Sequence, residues 1–251
     1  MASWMVHLRI AEQLLEQIDG LDACQFAIGN VAPDSGVVDE NGRFHPPKEI
    51  SHYTHYTEPR CMYLHRDACF YEDYLRDIEP TDKNRFSFLL GYLFHIVTDN
   101  LWITDIWRPT KNKFFGGQSP TDAYVREVKG DWVGQDFLYL QQHPESLFYQ
   151  YFLDYEYNEP LFDLLPQENI EIALQRIKDF YLLDEVAFAE RIDRPFLYLQ
   201  QVDSDIFVEN TAVLLYELYE MGWGSKKRPF PAIKRSLLEC LSLNETIDVQ
   251  N

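Results

Sequence analysis

The stretch Gly91-Tyr-Leu-Phe-His95-Ile-Val-Thr-Asp99-Asn-Leu-Trp-Ile-Thr-Asp105-Ile-Trp107 constrains the fold more than any other. From Phe86 to Trp107 almost every position is apolar or aromatic, without the one-sided stripe of a surface helix. A helix that is hydrophobic all round is a buried helix. His95 and Asp99 stand four residues apart, one above the other on a single face, close to Phe88, Tyr92, Trp102 and Ile106. An ionised carboxylate left alone there costs several kcal/mol, on the order of magnitude, so it must be hydrogen-bonded, paired or metal-bound. A core His–Asp hydrogen bond and a metal-bound pair both satisfy that demand, and the doublet alone does not choose between them.

The totals narrow the function classes. A chain of 251 residues that is 46% hydrophobic can bury a large core, and residues 1–251 are expected to form a single all-helical domain. Its net charge of −19 disfavours nucleic-acid backbones and anionic membranes, and a phosphate-bearing substrate needs metals or a local cationic pocket to enter such a field. The first helix carries no long apolar core, so it is not expected to be a signal peptide, and no run approaches the roughly 18 consecutive apolar residues of a membrane span. Cys24, Cys61, Cys69 and Cys240 lack any CxxC spacing and read as reduced, packed thiols, with a cytoplasmic location expected.

Along the chain, Ser3 is placed to cap a helix from Trp4 to about Ile18, stopped near Gly20, with His7, Ala11, Leu14 and Ile18 on one face. Gly29-Asn-Val-Ala-Pro33-Asp34-Ser35-Gly36 reads as a turn, in which Asp34 alone would be ordinary turn chemistry. The loop from Asp39 to Pro59 holds His45, His52 and His55 in a chain with only seven histidines. Cys61 to Ile78 has the pattern of an amphipathic helix, with His65 on its shoulder, solvated or packed. Thr81 is expected to cap the central helix, and Arg108-Pro109 to begin a break reaching Pro120. Thr121 then caps a helix to about Gln142, on which carboxylates such as Asp131 and Asp136 read as a wet face. Further helices are expected near 145–155, 168–182, 204–221 and 230–241, with no convincing strand pair. The class is all-α.

Five polar residues stand out: His7, Asp34 in its turn, His52 in its loop, and His95 with Asp99 on the buried helix. Imidazole nitrogen with carboxylate oxygen is a ligand set that zinc favours. No nucleophile elbow, P-loop or dinucleotide turn competes. A di-iron carboxylate site needs paired Glu-x-x-His motifs, and Glu49-Ile-Ser-His52 alone fits, within a loop.

The ordered set Ser3-Trp4-Met-Val-His7-Leu-x-Ile-Ala, Ile28-Gly-Asn-Val-Ala-Pro-Asp34, Ser51-His52-Tyr and Gly91-Tyr-Leu-x-His95-x-x-x-Asp99 resembles the zinc-dependent phospholipase C family. The resemblance covers residues 1–142 and leaves helices of unassigned role in 143–251. It implies an all-α fold and metal ligation by His7, Asp34, His52, His95 and Asp99, with Asp99 bridging two zinc ions. It also implies that Asp34 activates the attacking water and that the chain cleaves a phosphodiester. Where secreted members place a later histidine and a His-x-x-x-Glu, this chain has Asp105 and Trp132-Val-Gly-Gln-Asp136. Asp105 is rotated about 80° from His95 on a continuing helix. With Asp136 it would make a further, oxygen-rich site preferring manganese or magnesium. The secreted members also use a mature N-terminal tryptophan as ligand, whereas Trp4 here lies inside the chain. The expected partner is a small-molecule phosphoester. The alternative is a helical metal-binding or interaction protein without turnover.

Overall fold

The computed structural model describes residues 2–54, 65–118, 120–157 and 162–224. It is mostly helical. In order come α1 (Trp4–Leu15), α2 (Ala23–Gly29), a tight turn Ala32–Asp34, and a two-residue hairpin of β1 (Val37–Val38) and β2 (Phe44–His45). Then follow α3 (Lys48–Ser51), α4 (Asp67–Phe70), α5 (Lys83–Trp102), α6 (Arg108–Phe115) and α7 (Asp122–Gln142). The described chain closes with α8 (Gln167–Tyr181), α9 (Glu185–Ile192) and α10 (Gln201–Gly222).

Helix α5 is the axis of the molecule. Every residue from Phe86 to Trp102 is buried. The continuous helical stretch Lys83–Phe115 is long and apolar enough to cross a membrane by composition, but 94% of its most apolar window is covered by the rest of the protein. It is a core helix. Helix α2 crosses it at backbone distance, which two glycines permit. A Cβ on Gly29 would fall 2.1 Å from the Phe88 carbonyl oxygen, and one on Gly91 would fall 2.4 Å from that of Phe26.

Several local expectations are corrected. Asp82, not Thr81, caps α5, its side chain accepting from the Arg85 N–H. The helix does not break at Pro109 but widens at Ile103–Trp107 and continues as α6 until Gly116, which adopts φ 59°. A wide turn relieves the clash that a proline ring makes with the carbonyl four residues back. The first helix stops at Leu15, and Asp67–Phe70 passes into a similar wide turn, Tyr71–Leu75. The hairpin is an unexpected strand pair, with Val37 opposite His45. Helix α9 is also unexpected: it buries none of its residues fully and is started by Asp184, whose side chain accepts from the N–H groups of Val186 and Ala187. Cys24 and Cys69 form no disulfide, while Cys61, Cys240, His55 and the helix expected near 230–241 lie outside the described residues.

Candidate metal centre

Four separate segments deliver the site. Ser3 caps α1, accepting from the Val6 N–H at 3.4 Å, and this sets the phase that turns His7 fully inward. Helix α2 ends at Asn30, and the Pro33-containing turn then presents Asp34. Helix α3 ends at His52, after which Tyr53 adopts a left-handed φ of 56°, a conformation costly for a bulky residue and frequent at functional sites. Helix α5 contributes His95 and Asp99, both with no solvent exposure.

Asp99 is the hub. Its Oδ1 accepts the Ala2 N–H at 2.7 Å and lies 3.5 Å from His7 Nε2. Its Oδ2 lies 3.5 Å from His95 Nε2, 3.8 Å from His52 Nε2 and 3.4 Å from His65 Nε2. His52 Nε2 is in turn 3.3 Å from Asp34 Oδ1. The His7 and His95 rings stack at 3.9 Å.

These spacings bear on the two readings of the doublet. A nitrogen–oxygen hydrogen bond is about 2.7–3.2 Å long. Two atoms each 2.0–2.1 Å from one tetrahedral zinc ion stand about 3.3–3.4 Å apart. The imidazole–carboxylate separations fall near the second figure. Nε2 of His7, His52, His65 and His95 and Oδ2 of Asp99 are all buried without a hydrogen-bond partner. Such a set of orphaned polar atoms fits a cation in their midst. Among the described residues, two groups have ligand atoms close enough to hold an ion: His7 with His95 and Asp99, and Asp34 with His52 and His95.

The tautomer of His95 and the neutral rings of His7 and His52 suit such a centre. His95 Nδ1 lies 2.8 Å from the Asn30 carbonyl oxygen, which can only accept, so Nδ1 carries the hydrogen. Burial pushes His7 and His52 down to about 4, leaving lone pairs on both rings at neutral pH. Burial also opposes His95, but the charge of Asp99 outweighs it and raises that ring. Asp34 is held below the usual carboxylate range, against burial, by His52 and then Lys48. Asp99 is held well below it, again against burial, with the charge of His95 among the causes.

A cavity of about 380 Å³ opens beside Asp34, lined by Trp4, Lys48, Lys129, Trp132 and Phe180 among others. Asp34 Oδ2 accepts from Trp4 Nε1 at 3.0 Å, and Lys48 Nζ stands 3.6 Å from Oδ1. Arg176 of α8 donates to the Asp34 carbonyl at 2.7 Å and to that of Gly36 at 3.3 Å, clamping the turn from behind. The sequence reading gave 143–251 no such part.

The structure brings His7, Asp34, His52, His95 and Asp99 together and adds His65. Neither Asp105 nor Asp136 joins the two groups, although Asp136 lines the cavity beside Asp34. Asp105 is exposed, accepts from Thr104 Oγ1 at 2.7 Å and lines a different groove, against α10. Asp136 is buried, but its two oxygens accept from Ser3 Oγ at 2.6 Å and Tyr181 OH at 2.8 Å. Burial pushes it up to about 7 in spite of those bonds. It anchors the cap of α1. The wider turn that begins at Ile103 also advances each residue by less than an α-helix does, so Asp105 slips further from the face of His95.

No curated protein and no solved structure matches the chain. Residues 6–115, somewhat under half of its length, match the family model described as zinc dependent phospholipase C, and that similar span holds all six converging side chains.

Proposed function

We propose that the protein is a zinc-dependent phosphodiesterase acting on a small phosphodiester, with His7, Asp34, His52, His95 and Asp99 holding two ions. The observation that carries this reading is the set of buried, unpartnered ligand atoms around Asp99, opening beside a cavity that bears Lys48 and Lys129. Zinc supplies Lewis acidity toward phosphoryl oxygens and lowers the pKa of water. The chain's own residues do the rest. Lys48 and Lys129 bring local positive charge to a molecule of net charge −19, which lets an anionic ester approach. Trp4, Trp132 and Phe180 form apolar walls for the ester substituents. Asp34 stays ionised, so its part is to accept a hydrogen bond from the attacking water and aim it. Trp4 and Arg176 hold Asp34 in that posture.

The exposed position of Asp105 favours a second reading, a metal-binding protein that kept two ion sites and lost turnover. Elemental analysis of the purified protein, followed by hydrolysis of bis(4-nitrophenyl) phosphate and a phosphodiester panel with and without chelator, separates the two. Two zinc ions with chelator-sensitive hydrolysis support the enzyme. Two ions without hydrolysis of any ester support the binding protein, and a chain that takes up no zinc refutes both.

A further inference from the structure

We propose that His65 is a further imidazole ligand of the metal centre, bound through Nε2 on the Asp99 side, and that it completes the ligand count for two ions. This rests on the two-ion reading above.

His65 is 8% exposed, and its Nε2 has no hydrogen-bond partner. That atom lies 3.4 Å from Asp99 Oδ2, the separation expected of two ligands on one zinc ion and beyond an ordinary hydrogen bond. The other ring nitrogen, Nδ1, is 2.8 Å from Thr54 Oγ1. With Nδ1–H donating to that hydroxyl, Nε2 carries its lone pair toward the centre. This outer hydrogen bond is the usual device by which a metal-ligating histidine is oriented.

The backbone is fixed as well as the ring. The His65 N–H donates to Asn100 Oδ1 at 2.7 Å, and Asn100 Nδ2 donates to the His65 carbonyl at 3.0 Å. Asn100 has no solvent exposure and directly follows Asp99 on α5. One turn of α5 therefore supplies the central carboxylate and clamps the residue whose imidazole faces it. A histidine that merely packed against the core would need neither the clamp nor the orphaned nitrogen.

The ligand count gives His65 its purpose. His95 Nε2 is close enough to serve either cluster, with His7 and Asp99 or with Asp34 and His52. Its single lone pair serves one ion. Without His65, two ions share three imidazoles. With it, His7 and His95 serve one ion and His52 and His65 the other, the ring centroids of the latter two 5.0 Å apart, while Asp99 turns Oδ1 to His7 and Oδ2 to His95, His52 and His65.

The test uses full-length protein reconstituted with zinc or cobalt(II). His65→Ala is expected to weaken one of the two ions tenfold or more in a chelator competition, while the other is retained. Should His65→Ala fail to fold, His65→Cys still decides. A thiolate ligating cobalt gives a sulfur-to-metal charge-transfer absorption in the near ultraviolet that a packed thiol does not, and this band is expected. Exposed His45→Ala serves as the control that changes nothing. A wild type holding two ions, with His65→Ala of unchanged affinity or His65→Cys without the band, overturns the role of His65 and leaves the two-ion reading intact. A wild type that takes up no metal overturns both.

Discussion

Replacing Gly91 by alanine tests whether the close crossing of α2 and α5 sets the metal centre. The new Cβ would lie 2.4 Å from the Phe26 carbonyl oxygen and 3.0 Å from both the backbone nitrogen and Nδ2 of Asn30. Two of these three neighbours are backbone, which cannot rotate aside. Restoring an ordinary contact of about 3.4 Å moves the C-terminal turn of α2 outward by roughly 1 Å, an overpacking change that costs about 1–3 kcal/mol in a well-packed core. The upper end applies, because a helix and not a side chain must move. The same shift reaches the site. The Asn30 carbonyl accepts from His95 Nδ1 at 2.8 Å, and retreat by about 1 Å takes it outside hydrogen-bond range. Loss of such an outer partner typically costs about 10–100-fold in metal affinity. Urea unfolding of the metal-free protein should therefore show a loss near 3 kcal/mol. Competitive chelation should show the affinity falling in parallel, and Gly29→Ala should do the same from the opposite helix. A Gly91→Ala protein with wild-type stability and wild-type zinc affinity refutes the reasoning.

Asp99→Asn should remove more zinc than any other single ligand change, since neutralising the shared carboxylate leaves two cations uncompensated; elemental analysis after dialysis checks it. Asp105→Ala should leave metal content unchanged and stability within about 0.5 kcal/mol, measured by denaturation, because the side chain is exposed. Asp136 is raised by burial from 3.8 to about 7, so the folded state holds a proton that the unfolded chain releases. The stability this contributes is complete below about pH 4 and is lost as pH rises through 7, by about 4 kcal/mol on the order of magnitude. Asp136→Asn keeps partners for Ser3 and Tyr181 without the titration, so its urea midpoint should fall less than that of the wild type between pH 5 and pH 8, and an equal fall counts against the assignment.

What the sequence disclosed, and what it hid, follows from how local each signal is. The burial of α5 was legible because an apolar run with no polar face has one home, and the four-residue spacing of His95 and Asp99 survives any tertiary arrangement. Gly91 belongs to the same motif, and its reason is the 2.4 Å approach of the Phe26 carbonyl. Asp105 misled because a straight helix was assumed, whereas the chain widens at Ile103–Trp107. His65 was hidden because the groups that orient it, Thr54 and Asn100, stand 11 and 35 residues from it in the sequence. Its place is set by Asn100, 35 residues away, and the only trace in the sequence was an asparagine following Asp99 inside a buried helix. A buried asparagine must find partners. That rule was available, though the identity of the partner was not.

The helices beyond the family match are part of the same machine, for a reason visible in three hydrogen bonds. Asp136 on α7 and Tyr181 on α8 grip the start of α1, through Ser3 Oγ and the Met5 N–H. Arg176 on α8 grips the Asp34 turn. The first bond sets where His7 points, and the last sets where Asp34 points. His7 rides on the well-packed α1, whereas Asp34 sits on a three-residue turn that lacks the lateral packing of α5. The cavity shows the same division of labour: Asp34 and Lys48 come from the matched span, while Lys129, Trp132 and Phe180 come from helices outside it. The matched span thus holds the converging histidines and aspartates, and α7 and α8 shape the cavity beside them. If the proposed phosphodiesterase reading holds, substrate choice falls to Lys129, Trp132 and Phe180, which lie outside the matched span.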